Sequence, residues 1–300
     1  MLVVDKPSGP TSHDVVACAR RALHVNKVGH LGTLDPLATG VLPLVVGRAT
    51  RLASLFTGAS KQYDAVIRLG VITDTYDITG TVLGGSEATA AGTHEQLPSP
   101  DAISAAARGF IGSHLQRPPP VSAKKIGGVR AYELARRHQP VDIPPVPVTI
   151  DALTVLSIDG PRVRCRIVSS SGFYVRSLAH DLGGMLGCGG CLEALRRERH
   201  GPFRLEQAVQ LAEVVEGGAA AGEQLVPMEA LLPEMTTVVV SDAGAQRAGH
   251  GNLLRPDDLT RPVASRSDTD RVRVLDPHGR LLAIAVRAAD GALHPRIVLV

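Results

Sequence analysis

Residues 29–40 read GHLGTLDPLATG and hold one carboxylate, Asp35, in a segment made of glycines, hydroxyl residues and a proline. The glycines permit positive φ and close backbone approach, while Pro36 fixes its own φ and disfavours a helical conformation at Asp35. An apolar run at residues 42–46 follows, so the segment lies between packed elements rather than in a linker. The sequence therefore predicts a loop that presents Asp35 as a nucleophile or a base. The alternative is a structural Asp that ends a strand and caps the next segment.

Length and composition predict a soluble globular protein, and 300 residues suggest two domains. The hydrophobic fraction of 44% is ample for a packed core, which must rest on aliphatic residues because Trp is absent. The apolar start at residues 1–4 is too short for a signal peptide, and no uninterrupted apolar run of about 18 residues follows. We therefore expect a cytoplasmic protein.

The four cysteines are too few for a disulfide framework in a chain of this length, so reduced thiols are expected. Cys188 and Cys191 have the spacing of metal ligands, but no second pair completes a set of four. A glycine-rich bend with buried thiols fits this segment better than zinc. No phosphate-binding GxxxxGK[ST] motif occurs either, and we predict neither a metal nor a cofactor.

Positive charge is concentrated in residues 114–140, where six basic residues and one acidic residue give +5 in a chain whose total is +3. Prolines at residues 118–120 and 140–147 favour an extended path at both ends of this segment. A basic segment on a mildly acidic body suits a localised contact with a polyanion such as RNA. The alternative is a solvated helix face that carries arginines.

Apolar periodicity predicts both helices and strands. Ser12 suits the N-cap of a helix, and further helices are predicted at 100–110, 132–138 and 190–197. The turn at 169–176 is predicted to lead into another helix, which ends at 183–184. Strands are predicted at 2–4, 42–46, 63–69, 148–158 and 162–169. The stretch 84–96 has little ability to pack and is predicted to be a surface loop. Residues 216–222 are expected to mark the edge of the first domain, and the strand-like segments after residue 236 suit a small barrel of hairpins.

The residues that carry potential chemistry are Asp35, Tyr63, Asp74, Tyr174 and Arg176, with His30 beside the first. Each one also has a structural interpretation. Tyr63 suits the end of a strand, Asp74 a turn, Tyr174 a core position and Arg176 a solvated helix position. Their joint presence needs an explanation beyond any one of them.

Seven blocks in order resemble the TruB family of tRNA pseudouridine synthases, and residues 29–40 match the family's hallmark segment. The other six are DKPSG with TSHD at 5–14, KQY at 61–63, TDTYD at 73–77, SAKK at 122–125, SGFYVRSLAHDLG at 171–183 and LRR at 195–197. Agreement by chance across seven ordered blocks is negligible, whereas one block alone would be only a hypothesis.

The resemblance implies an α+β protein with the pseudouridine synthase fold, in which helices flank a mixed, largely antiparallel central sheet. It implies a catalytic domain at 1–230, with the basic segment as an RNA-binding insertion, and a PUA-like small β-barrel at 234–300 that binds RNA. The alternative for the C-terminal region is a plain structural cap. The activity implied is cofactor-independent isomerisation of uridine 55, in the T loop of tRNA, to pseudouridine. The partner is the T stem-loop, and we expect a monomer because no heptad pattern is present.

The resemblance also assigns catalytic roles. Asp35 is the expected nucleophile, which adds to C6 of the uracil ring or supports departure at C1′ of the ribose, and the sequence leaves both routes open. Arg176 is expected to pair with Asp35 and keep the carboxylate ionised in a site closed to water. Tyr63 is expected to stack on the uracil, which must be flipped out of the folded loop.

Substrate-binding roles carry over in the same way. His30 is expected to occupy or brace the space that the base leaves, and Asp74 to belong to the polar network. Tyr174 and Leu195 are expected to line the pocket, and Lys124 and Lys125 to contact RNA in the basic segment. Two other classes remain as alternatives: a non-catalytic RNA-binding or RNA-chaperone protein, and a glycosidase with a carboxylate nucleophile. The glycosidase is disfavoured because no second acid pairs convincingly with Asp35.

Overall fold

The computed structural model describes residues 1–85, 97–122, 124–126, 129–130, 143–260, 271–288 and 290–300. The helix predicted at 132–138 and nearly all of the loop predicted at 84–96 lie outside these residues. The α-helices are α1 (Ser12–Ala22), α2 (Pro100–Arg108), α3 (Val175–Met185), α4 (Leu211–Gly217) and α5 (Asp242–Gly249), and a 3-10 helix spans Gly47–Leu55. The strands are β1 (Leu2–Lys6), β2 (Val28–His30), β3 (Thr39–Val46), β4 (Lys61–Leu69), β5 (Ile72–Thr73), β6 (Val82–Gly84), β7 (Gly112–Gln116), β8 (Lys125–Ile126), β9 (Val129–Arg130), β10 (Val146–Asp159), β11 (Arg162–Ser169), β12 (Gly190–His200), β13 (Phe203–Arg204), β14 (Val209–Gln210), β15 (Thr237–Val239), β16 (Arg271–Leu275), β17 (Leu281–Arg287) and β18 (Leu293–Val298).

One large sheet organises the chain, with the strand order β14-β1-β3-β12-β4-β11-β10-β7 and with β2 and β13 paired at its side. Strands β12, β4, β11, β10 and β7 pair antiparallel in succession, and β1 pairs antiparallel with β3. Only the β3–β12 and β1–β14 pairs in this sheet are parallel among the described residues. The predicted mixed, largely antiparallel α+β architecture is confirmed.

Helices cover one face of the sheet. Residues alternate between buried and half-exposed along β4, and Tyr63, Ala65, Ile67 and Leu69 point into the helix-covered core. Residues of α1, α2 and α3 belong to the same aliphatic cluster. The opposite face of β4 and β11 carries ion pairs, among them the bidentate contact between Arg164 and Asp64. The period-two alternation predicted for this strand is therefore confirmed, and it directs Tyr63 inward.

The helix predicted at residues 190–197 is wrong, because these residues form the central strand β12. Leu192 and Leu195 are both buried and three residues apart, which is a helical spacing. In the structure, irregularities of register between Leu192 and Ala194, and again between Arg197 and Arg199, shift the alternation along the strand. A β-bulge adds one residue to a strand and so breaks its period of two.

The C-terminal region forms a second sheet in the order β15-β16-β17-β18, with α5 packed against it. The predicted small barrel is corrected in one respect: within residues 236–260, 271–288 and 290–300 the strands form an open sheet, and no ring of strands closes. Val3, Val41 and Val45 of the large sheet share an apolar cluster with Leu281 and Leu299. The second sheet is therefore packed against the end of the first that carries β1 and β3.

Candidate active site

Asp35 lines a cavity of about 280 Å³. This volume is near the lower end of the roughly 300–1,000 Å³ that is usual for small-molecule sites. The walls come from the loop after β2, from β4, from β12 and from the turn before α3. The lining residues used below are Asp35, Lys61, Tyr63, Ser122, Tyr174, Arg176, Leu195 and Arg197.

A buried guanidinium faces Asp35 at close range. Nε of Arg176 lies 2.9 Å from Oδ2 of Asp35, and Nη2 donates a hydrogen bond to Oδ1 at 3.1 Å. The Arg176 side chain is 5% exposed, whereas the Asp35 side chain retains 32% exposure on the cavity side. The two-point contact fixes the direction of the carboxylate and leaves one side of it open to a ligand.

Arg176 is itself held by three further groups. Nη1 donates to the carbonyl oxygen of Thr75 at 2.9 Å, and Nη2 donates to that of Val121 at 2.9 Å. The buried carboxylate of Asp77 lies 3.6 Å from Nη1. Asp77 in turn accepts hydrogen bonds from the backbone N–H and the hydroxyl of Thr79. Arg176 therefore joins the Asp35 loop to the turn at residues 74–79 and to the start of the basic segment.

The Asp35 loop is anchored from below by residues of β1 and α1. Ser12 accepts a hydrogen bond from the Leu34 N–H at 2.8 Å, and its hydroxyl donates to the Leu34 carbonyl at 3.0 Å. The buried ammonium of Lys6 donates to the carbonyls of Pro36 at 3.2 Å and Ala38 at 2.7 Å. Burial lowers the pKa of Lys6 to about 8, against the opposing effect of the nearby Asp35 carboxylate. The loop is thus fixed on both sides of Asp35.

Arg197 anchors the same loop from β12, and the sequence did not indicate this role. Its guanidinium donates to the carbonyls of Val41 at 2.7 Å, Gly32 at 3.0 Å and Thr33 at 3.4 Å. The backbone of Arg197 also lies against Gly40, which has φ +98°, and a Cβ at Gly40 would come within 2.2 Å of the Arg197 carbonyl oxygen. Residue 40 must therefore be glycine for both conformational and steric reasons.

Tyr63 lines the cavity together with Arg197. Burial raises the pKa of Tyr63, and Arg197 acts in the opposite direction. Lys61 lines the same cavity two residues earlier on β4, and burial lowers its pKa to about 8. The alternation of β4 contained a signal for Lys61, because residues 61 and 63 share a face.

Tyr174 and Leu195 line the cavity as expected from the sequence. Burial raises the pKa of Tyr174, and Ser122 lines the cavity with it. Gln116 grips the backbone of Tyr174 twice, donating to its carbonyl at 3.0 Å and accepting from its N–H at 2.9 Å. These contacts hold the cavity wall against the start of the basic segment.

Asp74 takes a different place from the one expected. Its carboxylate is exposed and accepts a hydrogen bond from the Thr81 N–H at 2.8 Å, which closes a turn. Asp77, three residues later, contacts Arg176 instead. In the structure the carboxylate of this turn that contacts Arg176 is therefore that of Asp77, and the role expected for Asp74 stays a prediction. Both residues belong to the motif TDTYD, and the sequence alone did not distinguish them.

The remaining predicted residues lie at the periphery. His30 ends β2 and meets the ring of His13 edge-on, with ring centroids 5.4 Å apart, and the described lining of the cavity does not include it. Lys124 is exposed just after Ser122, and of Lys125 the structure describes the backbone, in β8. Within the described ranges, no cluster of His, Cys, Asp and Glu has the makeup of a metal site. No helix of the described chain has the length and apolar character needed to cross a membrane.

Comparison with known proteins identifies the family. Residues 20–175 match the model of the TruB family pseudouridylate synthase (N terminal domain), and residues 176–233 match the tRNA pseudouridylate synthase B C-terminal domain. The chain is 42% identical to a tRNA pseudouridine synthase B of Solibacter usitatus (strain Ellin6076), over 100% of this chain and 99% of the relative. It is 41% identical to the protein of the same name from Xanthomonas axonopodis pv. citri (strain 306), over 99% of this chain and 92% of the relative.

Solved structures agree with this result. The chain superposes with a TM-score of 0.70 on a chain from the structure of an H/ACA RNP bound to a substrate RNA containing 2′-deoxyuridine, covering 100% of this chain and 84% of that chain at 26% identity. A chain from a Cbf5-Nop10-Gar1 complex gives 0.71, with the same identity and coverage. Full-length similarity in sequence and in structure means that the chain belongs to the TruB family of pseudouridylate synthases and is an isomerase.

Proposed function

We propose that this enzyme converts the uridine at position 55, in the T loop of tRNA, to pseudouridine, with Asp35 as the nucleophile. The observation that carries the proposal is the contact of Asp35 with the buried Arg176 inside the cavity. A carboxylate held at two points and open on one side has the arrangement that a nucleophile needs. The relatives are named tRNA pseudouridine synthase B, a name that states the isomerisation of uridine in tRNA.

The chemistry breaks the C1′–N1 glycosidic bond and forms a C1′–C5 bond. N1 gains a proton and the C5 proton leaves to solvent, so the product is an isomer of the substrate. Asp35 serves as the nucleophile at C6 or at C1′ while the base turns over in the cavity. A base within a folded T loop reaches Asp35 only if it is flipped out, and Tyr63 supplies a ring for it to stack on.

Two further parts are proposed to bind the RNA. The segment 114–140 carries the concentrated positive charge, is bonded to the backbone of Tyr174 through Gln116, and contributes Ser122 to the cavity lining. The C-terminal region, residues 234–300, is proposed as a PUA-like RNA-binding domain that follows a catalytic domain at 1–230. Phosphate contacts from such surfaces offset the cost of unstacking the target base. A monomer in the cytoplasm, active without metal or cofactor, completes the proposal.

One assay tests this function. A T stem-loop RNA with tritium at C5 of its uridines releases tritium when C5 loses its hydrogen, and wild type is expected to release it from one site. Asp35→Asn is expected to lower the rate by several orders of magnitude, since removal of a covalent catalyst abolishes the main route. The matched control is Asp64→Asn, on the opposite face of β4, which is expected to keep the wild-type rate.

The two ways of failing have different meanings. A wild-type protein that binds the RNA but releases no tritium would contradict the proposed function. Full release by Asp35→Asn would contradict Asp35 as the nucleophile and leave the activity itself in place. Mapping of the product by reverse transcription after carbodiimide treatment checks position 55, and modification at another uridine would contradict the assigned site.

A further inference from the structure

Tyr76 lies in an unusual position beside the cavity. It is a non-glycine residue with φ +64°, in the left-handed region that aromatic residues seldom adopt. Its ring is stacked on the ring of His180 in α3, with centroids 3.8 Å apart and planes inclined by 7°. Both side chains are half-buried. Glycine would adopt this backbone conformation without strain, so the tyrosine must contribute through its ring.

The stack joins the two elements that hold Arg176. Tyr76 lies between Thr75, whose carbonyl accepts from Nη1 of Arg176, and Asp77, whose carboxylate lies 3.6 Å from the same nitrogen. His180 follows Arg176 by four residues in α3, so the two side chains project from the same helix face. The turn therefore meets α3 at two points, the guanidinium and the stacked rings.

The backbone of Tyr76 is fixed on the other side by β12. Its carbonyl accepts a hydrogen bond from the Leu192 N–H at 2.9 Å, and the Ile78 N–H donates to the Leu192 carbonyl at 2.8 Å. These bonds hold one edge of the turn to the sheet. The contacts between the turn and α3 are made instead through the side chains of Tyr76, Arg176 and His180. The ring of Tyr76 lies between the turn and α3, stacked on His180.

We propose that Tyr76 and His180 are positioning residues, whose stacked rings hold the turn at residues 75–77 at the distance from α3 that aims Arg176 at Asp35. The proposal deepens the proposed function and rests on it for its kinetic test. Neither ring lines the cavity. The expected effect is therefore on the chemical step rather than on RNA affinity.

The kinetic test compares four variants in single-turnover tritium release and in RNA binding. Tyr76→Ala and His180→Ala are each expected to lower the rate about 10- to 100-fold and to change the RNA Kd less than about twofold. Tyr76→Phe keeps the ring and is expected to stay within about twofold of wild type. The double Ala variant is expected to be no slower than either single variant, because both remove the same contact.

Two controls separate the ring from the backbone. Tyr76→Gly removes the ring and the φ strain together, and it is expected to match Tyr76→Ala. His24→Ala changes another non-glycine residue with positive φ, exposed after α1, and is expected to keep the wild-type rate. Recovery of the full rate in Tyr76→Gly, independent losses in the double variant, or a weaker Kd at unchanged rate would each overturn the proposal.

A second readout does not depend on activity. The side-chain Nε–H of Arg176 is observed by NMR in ¹⁵N-labelled protein and assigned by its loss in Arg176→Met. It is expected to exchange with solvent slowly in wild type and Tyr76→Phe, and at least about tenfold faster in Tyr76→Ala and His180→Ala. Equal exchange rates in all four proteins would overturn the positioning role of the stacked rings, even if the enzyme were inactive on tRNA. The proposed function is decided by the tritium assay alone.

Discussion

Two buried arginines line the cavity, and their guanidinium groups have different kinds of partner. Arg176, on the α3 side, faces the carboxylates of Asp35 and Asp77. Arg197, on the β12 side, donates to three backbone carbonyls. Across the described part of the chain, no carboxylate forms an ion pair with Arg197. Arg176 is therefore held mainly by opposite charges, and Arg197 by the dipoles of backbone carbonyls.

Because of this difference, we expect Arg176 to affect mainly the reaction rate and Arg197 to affect mainly the stability of the fold. A guanidinium that faces a half-exposed carboxylate acts on the group that reacts, so its loss is felt in the rate. A guanidinium that faces only carbonyls is part of the folded framework, and burial lowers the pKa of Arg197. Loss of its donors leaves buried carbonyls unsatisfied, which costs stability. The following substitutions test this division.

The largest effect is expected for Arg176→Met. Asp35 loses its two-point contact and its fixed direction, so single-turnover tritium release is expected to fall about 10²- to 10³-fold. The free energy of unfolding, measured with urea, is expected to fall much less than for the loss of a structural arginine. Asp77 keeps its hydrogen bonds from Thr79 and is not left bare.

The matched control is Arg166→Met, on the exposed face of β11, where the ion pair with Glu198 is 3.3 Å long. Solvent-exposed pairs contribute about 0–1 kcal/mol, and this variant is expected to keep the wild-type rate. Similar rate losses in the two variants would mean that the arginine facing Asp35 has no special role.

The second effect is expected for Arg197→Met, which removes the guanidinium hydrogen bonds to the Gly32, Thr33 and Val41 carbonyls. The free energy of unfolding is expected to fall by about 3 kcal/mol, since buried unsatisfied groups cost about 1–3 kcal/mol each and the structure relaxes in part. Arg196→Met is the control, because this neighbouring side chain is 40% exposed and pairs with Asp5 on the other face. If Arg196→Met lowered the free energy of unfolding by more than half as much as Arg197→Met, the two faces of β12 would not differ in the way proposed.

The sequence predicted much of the fold because its periodicity is regular where strands have one helix-covered face. Strand β4 alternates without interruption, and its prediction was confirmed. Strand β12 was mistaken for a helix because its bulges shift the buried positions, and register is a property of the paired strands. The open C-terminal sheet likewise depends on long-range pairing that turn signals do not encode.

The sequence predicted the contact between Asp35 and Arg176, but not the residues that hold the Asp35 loop in place. Asp35 and Arg176 were expected to meet, and they do. Arg197 and Lys6 donate hydrogen bonds to backbone carbonyls. Every residue has a backbone carbonyl, so the sequence alone did not predict which ones these side chains bind. The choice between Asp74 and Asp77 depends on the turn conformation, which includes a left-handed Tyr76 that propensity alone disfavours.

The smallest effect concerns His200, at the end of β12, which packs against Gly32 of the Asp35 loop beside Arg197. A Cβ at Gly32 would lie only 3.0 Å from Cε1 of His200, so the ring and the Asp35 loop are in close contact. Burial, followed by the charges of Arg197 and Lys61, lowers the pKa of His200 to about 3. The ordinary pKa of histidine is about 6.5, so between pH 6.5 and 3 the unfolded chain binds a proton that the folded chain does not.

Stability is therefore expected to fall as the pH drops through this window, by about 1.4 kcal/mol per pH unit from this group. His200→Gln removes the group, and its free energy of unfolding between pH 6 and 4.5 is expected to decline less steeply than that of wild type by about this slope. Urea unfolding at several pH values measures both slopes, and the exposed His24→Gln is expected to follow wild type. Parallel slopes for wild type and His200→Gln would mean that the ring accepts a proton in the folded state. The wall beside Arg197 would then tolerate a second positive charge, which a wall held by backbone dipoles in a dry interior does not.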